Sequence, residues 1–392
     1  MPEMSEVIED RLLQNFKDLF GEGEGIKGAR APGRLNFIGE HTDYQEGFVL
    51  PGAIDRYIYV LGRKIPQPQL ILYSGNYSEE FRCSPEEIEK FKGKNWYGYV
   101  LGVINLLKER IDLQGLQLYI WGNIPIGKGL STSAALEVST LLALMQIYDV
   151  SLPDKEIVKL ARKAENEFVG VPCGIMDQFA SLFSQKGNLL FLDTRNLKYK
   201  HIPLNMEEVS LLILDSNVRR TLGETPYQQR KEECEEAVKI LRNYFPHLKT
   251  LRDLIDVESG WEDKLPPLLR KRALHVVSEN KRVLEVCSLL RQGDFKKAGE
   301  LLFHSHLSLK DNFEVSCEEL DILVDLSLQS GKVYGARMMG AGFGGCTINL
   351  VEKGKEEEVV EFIKEKYTSL TQKEITPFLF HLQKGAKPLS LS

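Results

Sequence analysis

The segment Ala31–Tyr44, APGRLNFIGEHTDY, sets an arginine, a glutamate, a histidine and an aspartate (Arg34, Glu40, His41, Asp43) within ten residues, behind a Pro-Gly pair that reads as a turn. Four polar side chains of three hydrogen-bonding types (guanidinium, carboxylate and imidazole) on one short stretch suit the reading of a polyhydroxylated ligand, because each hydroxyl buried without a partner costs on the order of 1–3 kcal/mol. An exposed charged loop is the commoner fate of such residues. Here Leu35, Phe37 and Ile38 interleave the polar positions and Phe48, Val49 and Leu50 follow, which predicts a half-buried strand and turn.

A second stretch, Gly122–Ser139, reads GNIPIGKGLSTSAALEVS. Gly122 to Lys128 fit most of GxxxxGK, but Gly129 stands where a P-loop needs Ser or Thr, so that reading fails. What remains suits a phosphate. Gly127 and Gly129 permit close backbone approach, and Leu130, Ser131, Thr132 and Ser133 open a helix whose amides and dipole favour an anion. As a bare pattern it is equally a glycine turn with a serine N-cap. In GARMMGAGFGGCTINLV, Gly335–Val351, the glycines Gly340, Gly342 and Gly345 fit GxGxxG, yet the β-prone run Cys346–Val351 follows where a dinucleotide fold needs a helix. His304 and His306 form an HxH pair without metal-site company, since residues two apart on a helix face different ways. They are expected to be solvated or core-bonded.

The elements that must position these residues are read from periodicity. Strand-like runs fall at Arg56–Leu61, Gln69–Tyr73, Leu116–Trp121, Asn188–Asp193 and Val209–Asp215, then at Cys346–Val351 and Thr376–Leu382. Helical patterns span Trp96–Arg110, Ser131–Tyr148, Pro153–Phe168, Pro226–Tyr244, Leu265–Leu290 and Cys317–Ser330, and Ile8, Leu12, Leu13, Phe16 and Phe20 predict an amphipathic first helix. GEGEG at Gly21–Gly25 reads as a linker, and the charged run Gln228–Glu236 as a solvated helix face. Strands concentrate in the first half and helices in the second, with closing strands at the end. This predicts an α+β chain of two domains, 1–205 and 206–392.

At 392 residues and 43% hydrophobic content the chain can furnish two cores. Its 50 basic and 56 acidic residues give a net charge of −6, which argues against a general nucleic-acid binder. The acidic N-terminus lacks a signal peptide's apolar core, and the most apolar stretch, Leu136–Val150, is interrupted by Glu137, Ser139, Thr140 and Gln146, so no membrane partner is expected. Six cysteines without a CxxC pair suggest free thiols and a cytoplasmic location, with Cys173 read as a small buried hydrophobe.

Taken together, the three segments resemble the signature of the GHMP small-molecule kinase superfamily, which includes the galactokinase, homoserine kinase, mevalonate kinase and phosphomevalonate kinase families. GEHTDY followed by GFVLP is similar to the galactokinase family in particular, as are CGIMDQFAS at Cys173–Ser181, SNVRRTLGETPYQQRKEEC at Ser216–Cys234 and LKDNFEVSCEELD at Leu309–Asp321. The resemblance runs over most of the chain. It implies an N-terminal domain like the second domain of ribosomal protein S5, a C-terminal ferredoxin-like domain, and an active site in the cleft between them.

The resemblance also implies the chemistry: ATP-dependent phosphorylation of D-galactose at the anomeric hydroxyl, the first committed step of galactose catabolism. By similarity Asp177 accepts the sugar's proton with Arg34 as its partner. An adjoining arginine weakens a carboxylate as a base, which a loose phosphoryl-transfer transition state tolerates. The sugar contacts implied are Arg34, Glu40, His41, Thr42, Asp43, Gly174, Asp177 and Tyr227. The nucleotide falls to Ser74 and to Gly127, Lys128, Gly129, Leu130, Ser131, Thr132 and Ser133, and Mg2+ to Ser133 and Glu165, twelve positions before Asp177. Lys128 departs from the small residue usual there. Without the resemblance, Glu165 between Lys163 and Glu167 would look like surface charge. Galactose and ATP are the expected partners, in a monomer or weak homo-oligomer. A kinase for another sugar such as N-acetylgalactosamine stays open, as does a sugar- and ATP-sensing relative, although such proteins lack a pair like Ser133-Ala134.

Overall fold

The computed structural model describes residues 4–218 and 225–391, so that 219–224 of the segment Ser216–Cys234 lie outside the described residues. The first half runs α1 (Met4–Phe20), β1 (Lys27–Asn36), β2 (Phe48–Val49), β3 (Pro51–Ile65), β4 (Leu70–Ser74), β5 (Glu79–Cys83), α2 (Trp96–Leu107), β6 (Gly115–Gly122) and α3 (Thr132–Tyr148). There follow α4 (Asp154–Lys163), α5 (Met176–Phe183), β7 (Asn188–Asp193), β8 (Lys198–Pro203) and β9 (Val209–Asp215). The remainder is α6 (Thr225–Leu241), α7 (Pro267–Gln292), α8 (Phe295–Ser308), α9 (Glu318–Gln329), β10 (Val333–Met339), β11 (Cys346–Glu352), α10 (Glu356–Thr371), β12 (Thr376–Phe380) and β13 (Lys387–Pro388).

A six-stranded sheet ordered β13-β1-β3-β6-β4-β5 carries the first half, with β4 and β6 its parallel pair. α1 seals one face, seating Leu12 and Phe16 against Tyr59, Leu61 and Tyr119. α3 packs on the other face against β1 and β3, in a core that includes Leu35, Leu118 and Leu141. A small sheet, β2-β7-β8, lies beside it. In the second half the order β10-β11-β9-β12 is antiparallel, and counted within that half it is the 2-3-1-4 arrangement of a ferredoxin-like sheet. The α+β architecture read from the sequence is the one observed.

Several local expectations are corrected. Pro32-Gly33 is no turn: both lie inside β1, at a register shift in its pairing with β3. A Cβ at Gly33 would stand 2.7 Å from the carbonyl oxygen of Leu130, so glycine is what lets the phosphate-loop segment press on the strand, where Arg34 N–H donates to that same carbonyl. The half-buried strand expected around Leu35 is the end of β1, which begins earlier at Lys27, and β5, β8, β10, β13, α5, α8 and α10 match none of the predicted elements. The helix expected to reach Phe168 ends at Lys163 and continues as a π-turn over Ala164–Val169. The Gly340–Gly345 loop joins β10 to β11 as a hairpin, as no dinucleotide loop does. In α6 the run Gln228–Glu236 is not merely solvated: Arg230 is buried and donates to the Phe313 carbonyl, Glu233 pairs with Arg230 and Arg272, and Cys234 is buried.

Candidate active site

A cavity of about 590 Å³ gathers residues from both halves of the chain. The sequence-predicted residues Arg34, Glu40, His41, Asp43, Gly127, Gly129, Leu130, Ser131, Thr132, Ser133, Glu165, Gly174, Asp177 and Tyr227 line it. So do Gly340–Phe343 of the glycine loop, which the resemblance implies beside the phosphate loop, and Tyr99 and Cys173, which were not among the expected site residues.

The bulged strand β1 delivers Arg34 and the first turn of α5 delivers Asp177. The two meet side by side, Arg34 Nε donating to Asp177 Oδ1 at 2.8 Å and Nη2 to Oδ2 at 2.9 Å. Arg34 Nη1 donates to the Gly129 carbonyl at 2.7 Å, so one guanidinium ties the aspartate to the glycine loop. Ser131 occupies the N-cap position of α3 with φ of 55°, and its hydroxyl donates to Asp177 rather than capping the helix. Thr132 and Ser133, which open α3 without a side-chain cap, line the cavity, and a helix start so placed favours an anion.

On the sugar-reading side Glu40 is buried, and its Oε1 accepts from Gly340 N–H and from Arg337. His41, at φ of 60°, lies 5.5 Å from the Tyr227 ring and 4.8 Å from the Phe313 ring, with Nδ1 3.0 Å from the Tyr44 hydroxyl. Asp43 faces Gly174 so closely that a Cβ there would overlap its Oδ2. Burial, and then the charges of Asp177 and Glu40, push the Asp43 carboxyl up to about 6.

Glu165 sits in the π-turn and is 5% exposed. Its Oε2 accepts from the Gln178 amide at 2.7 Å and the Cys173 thiol at 3.3 Å, and burial, followed by the charge of Asp177, pushes it up to about 7. A buried carboxylate beside Asp177 with a hydroxyl ligand at hand in Ser133 is a donor set that fits a hard cation. Among the described residues there is no cluster of three or more His, Cys, Asp and Glu side chains in metal-holding geometry. Cys173 is thus a hydrogen-bonding wall of the cavity rather than a bland core residue. The π-turn also fixes the strap carrying Gly174, because Asn166 accepts from Cys173 N–H at 2.8 Å.

Three predicted residues lie elsewhere. Thr42 is fully buried, its hydroxyl shared between the carbonyls of Gly39 and Phe48, so it shapes the turn. Lys128 turns its ammonium to the buried Asp215, with its carbonyl accepting the Cys346 thiol. Ser74 lines a neighbouring cavity of about 240 Å³ with Asn76, Tyr77 and Trp96, which shares Tyr99, Thr132 and Ser133 with the first. His304 is exposed, and His306 is buried between Met338 N–H and Asp321.

This geometry agrees with what the chain resembles. Residues 98–185 match the GHMP kinases N terminal domain and 287–369 the GHMP kinases C terminal, which places the chain's fold among these kinases. Residues 14–64, holding Arg34, Glu40, His41 and Asp43, match the galactokinase galactose-binding signature. The galactokinase of Thermotoga neapolitana is 42% identical over 88% of this chain and 95% of its own length, and that of Pyrococcus furiosus 43% identical over 86% and 92%. The crystal structure of Lactococcus lactis galactokinase complexed with galactose superposes with a TM-score of 0.92 at 34% identity, covering 97% of this chain and 100% of that one. The chain belongs to the galactokinase family. A mevalonate kinase shares the fold, with a TM-score of 0.65 at 22% identity.

Proposed function

We infer that the protein is an ATP-dependent kinase that phosphorylates D-galactose at the anomeric hydroxyl to give galactose 1-phosphate, the first committed step of galactose catabolism. The observation that carries this reading is that the galactose-binding signature residues Arg34, Glu40, His41 and Asp43 line the same cavity as the glycine loop and Asp177. In this reading Glu40, His41, Asp43, Tyr227 and the Gly174 main chain bond the sugar hydroxyls, each of which would otherwise be buried unpaired. Asp177 orients the anomeric hydroxyl and takes up its proton. Arg34, held on Asp177 and the Gly129 carbonyl, adds positive charge where the transferred phosphoryl group develops negative charge.

Loop amides from Gly127 to Ser133 cradle the phosphates, and the base is assigned to the neighbouring cavity lined by Ser74, Tyr77 and Trp96. Ser133 and Glu165 would hold Mg2+, which supplies charge neutralisation on the phosphates when bound. Division into domains near residue 205 is supported by the turn between β8 and β9, while β13 returns to pair with β1 in the first half. A cytoplasmic location is supported by six free cysteines. No described helix is long and apolar enough to cross a membrane. A monomer or weak homo-oligomer is proposed, with sedimentation velocity as its test. The deciding experiment for function is ADP release over a panel of sugars: galactose should far exceed glucose, whereas kcat/KM for N-acetylgalactosamine equal to that for galactose would reassign the chain to a broader amino-sugar kinase.

A further inference from the structure

The wall behind Glu165 holds two buried groups to which the proposed reaction gives no task. Gln178 follows Asp177 in α5, has no exposed surface, and does not line the cavity. Its Nε2 donates to Glu165 Oε2 at 2.7 Å and to Glu137 Oε2 at 3.1 Å. Glu137, on α3 four residues beyond Ser133, likewise has no exposed surface and stands between the buried Leu136 and Val138. An acid in such a place is costly unless it is hydrogen-bonded for a purpose, since an apolar residue would fill the same volume at less cost. The remaining oxygens, Glu137 Oε1 and Gln178 Oε1, find no hydrogen-bond partner among the described residues.

The orientation of an amide is set by its network, and with an acceptor oxygen of each acid on one side its NH2 end lies between them. A second donor, the Cys173 thiol, falls on the same Glu165 Oε2. Both donors therefore hold one oxygen, which fixes the rotation of the carboxylate and leaves its other oxygen free of either. We propose that Gln178 and Glu137 are positioning residues for the metal carboxylate: Glu137 holds the amide of Gln178, and Gln178 holds Glu165 turned toward Ser133 and the phosphate side of the cavity. This rests on reading Glu165 and Ser133 as the magnesium ligands. Groups that orient a ligand in this way usually change metal affinity by roughly 10–100-fold when removed.

The test measures Mn2+ affinity by electron paramagnetic resonance in the full-length protein with a non-hydrolysable ATP analogue, beside the magnesium dependence of turnover and the galactose KM. Gln178→Leu, which cannot donate, and Gln178→Asn, one methylene too short to reach both acids, should each weaken Mn2+ binding about 10–100-fold and raise the magnesium requirement, with the galactose KM changed by no more than about twofold. Glu137→Leu should shift in the same direction, and Glu137→Gln, which can still accept from the amide, should recover Mn2+ affinity. Glu165→Gln is the control: unchanged Mn2+ affinity there overturns the metal assignment itself. If Glu165→Gln weakens Mn2+ binding while folded Gln178→Leu or Gln178→Asn binds it like the unaltered protein, the positioning role is overturned. A general loss in which the galactose KM rises along with the magnesium requirement, and Glu137→Gln fails to recover, likewise overturns it in favour of a purely structural role.

Discussion

Arg337, without exposed surface on β10, places its Nη2 3.2 Å from Glu40 Oε1, across 297 residues of chain. The same guanidinium donates to the carbonyls of Asn36, Phe37 and Met338, so a residue of the second half sets both the path of the sugar-reading segment and the seat of its glutamate. Replacing Arg337 by Met should leave the buried Glu40 without its cationic partner and cost about 3–5 kcal/mol of stability. Arg337→Lys should not restore it, because one ammonium cannot serve acceptors spread over a planar fork. Thermal unfolding of the two variants checks this, and a Lys variant as stable as the unaltered protein would refute it.

Asp177→Ala should lower kcat by on the order of 10²–10⁴ while galactose still binds, because in the proposed reading the carboxylate is one of several sugar contacts and the group that takes up the reacting hydroxyl's proton. Calorimetric binding beside steady-state kinetics separates the two effects. Near-normal kcat would remove Asp177 from the chemistry.

Gly174→Ala should act through Asp43, since the new Cβ would fall 1.6 Å from Asp43 Oδ2 and 2.3 Å from its Cγ. The displaced carboxylate should reduce kcat/KM for galactose by roughly 10–100-fold with the ATP KM unchanged. A loss confined to ATP would place Gly174 elsewhere in the mechanism.

Asp43 carries a stability cost with a definite sign. Its carboxyl is raised from 3.8 to about 6 in the folded protein, so the folded state binds the proton more tightly and stability falls as the pH rises between those values. The deficit is complete above pH 6, where it amounts to roughly 1–3 kcal/mol. Asp43→Asn, which keeps the acceptor used by Tyr44 N–H, should therefore melt higher at pH 8, with the gain shrinking toward pH 4. Calorimetric melting at several pH values reads this directly, and a gain independent of pH would contradict it.

Specificity should pass through the same residue. Glucose differs from galactose only at the 4-hydroxyl, and if Asp43 bonds that region Asp43→Ala should narrow the galactose-to-glucose ratio of kcat/KM while depressing galactose turnover. An unchanged ratio would assign the discrimination to Tyr227 or His41.

Local pattern in the chain was enough to locate the chemistry. The density of unlike polar groups between Arg34 and Asp43, the glycines before Ser131, and the apolar periodicity of α2 and α3 are short-range features, and each is legible because neighbouring positions decide it. Resemblance added Glu165 and Asp177, which their own neighbours do not mark. What escaped was settled by distant partners. The full extent of β1 escaped, because Pro32 and Gly33 read as a turn until the bulge at Gly33 is matched to the approach of Leu130. β10 escaped because Gly335 breaks its pattern, a glycine required by the backbone of Gly299 on α8, which a Cβ would approach to 1.9 Å. Glu165 looks solvated between Lys163 and Glu167 until the π-turn carries it inward to Gln178. Lys128 could be read as solvent-facing or phosphate-facing, yet its neighbour is Asp215 on the far half. Residue types and spacing determine which groups are present and which helix or strand they ride on; the direction a charged side chain turns is decided by the cost of burying it unpaired, and its partner for that is found only when the two halves pack together.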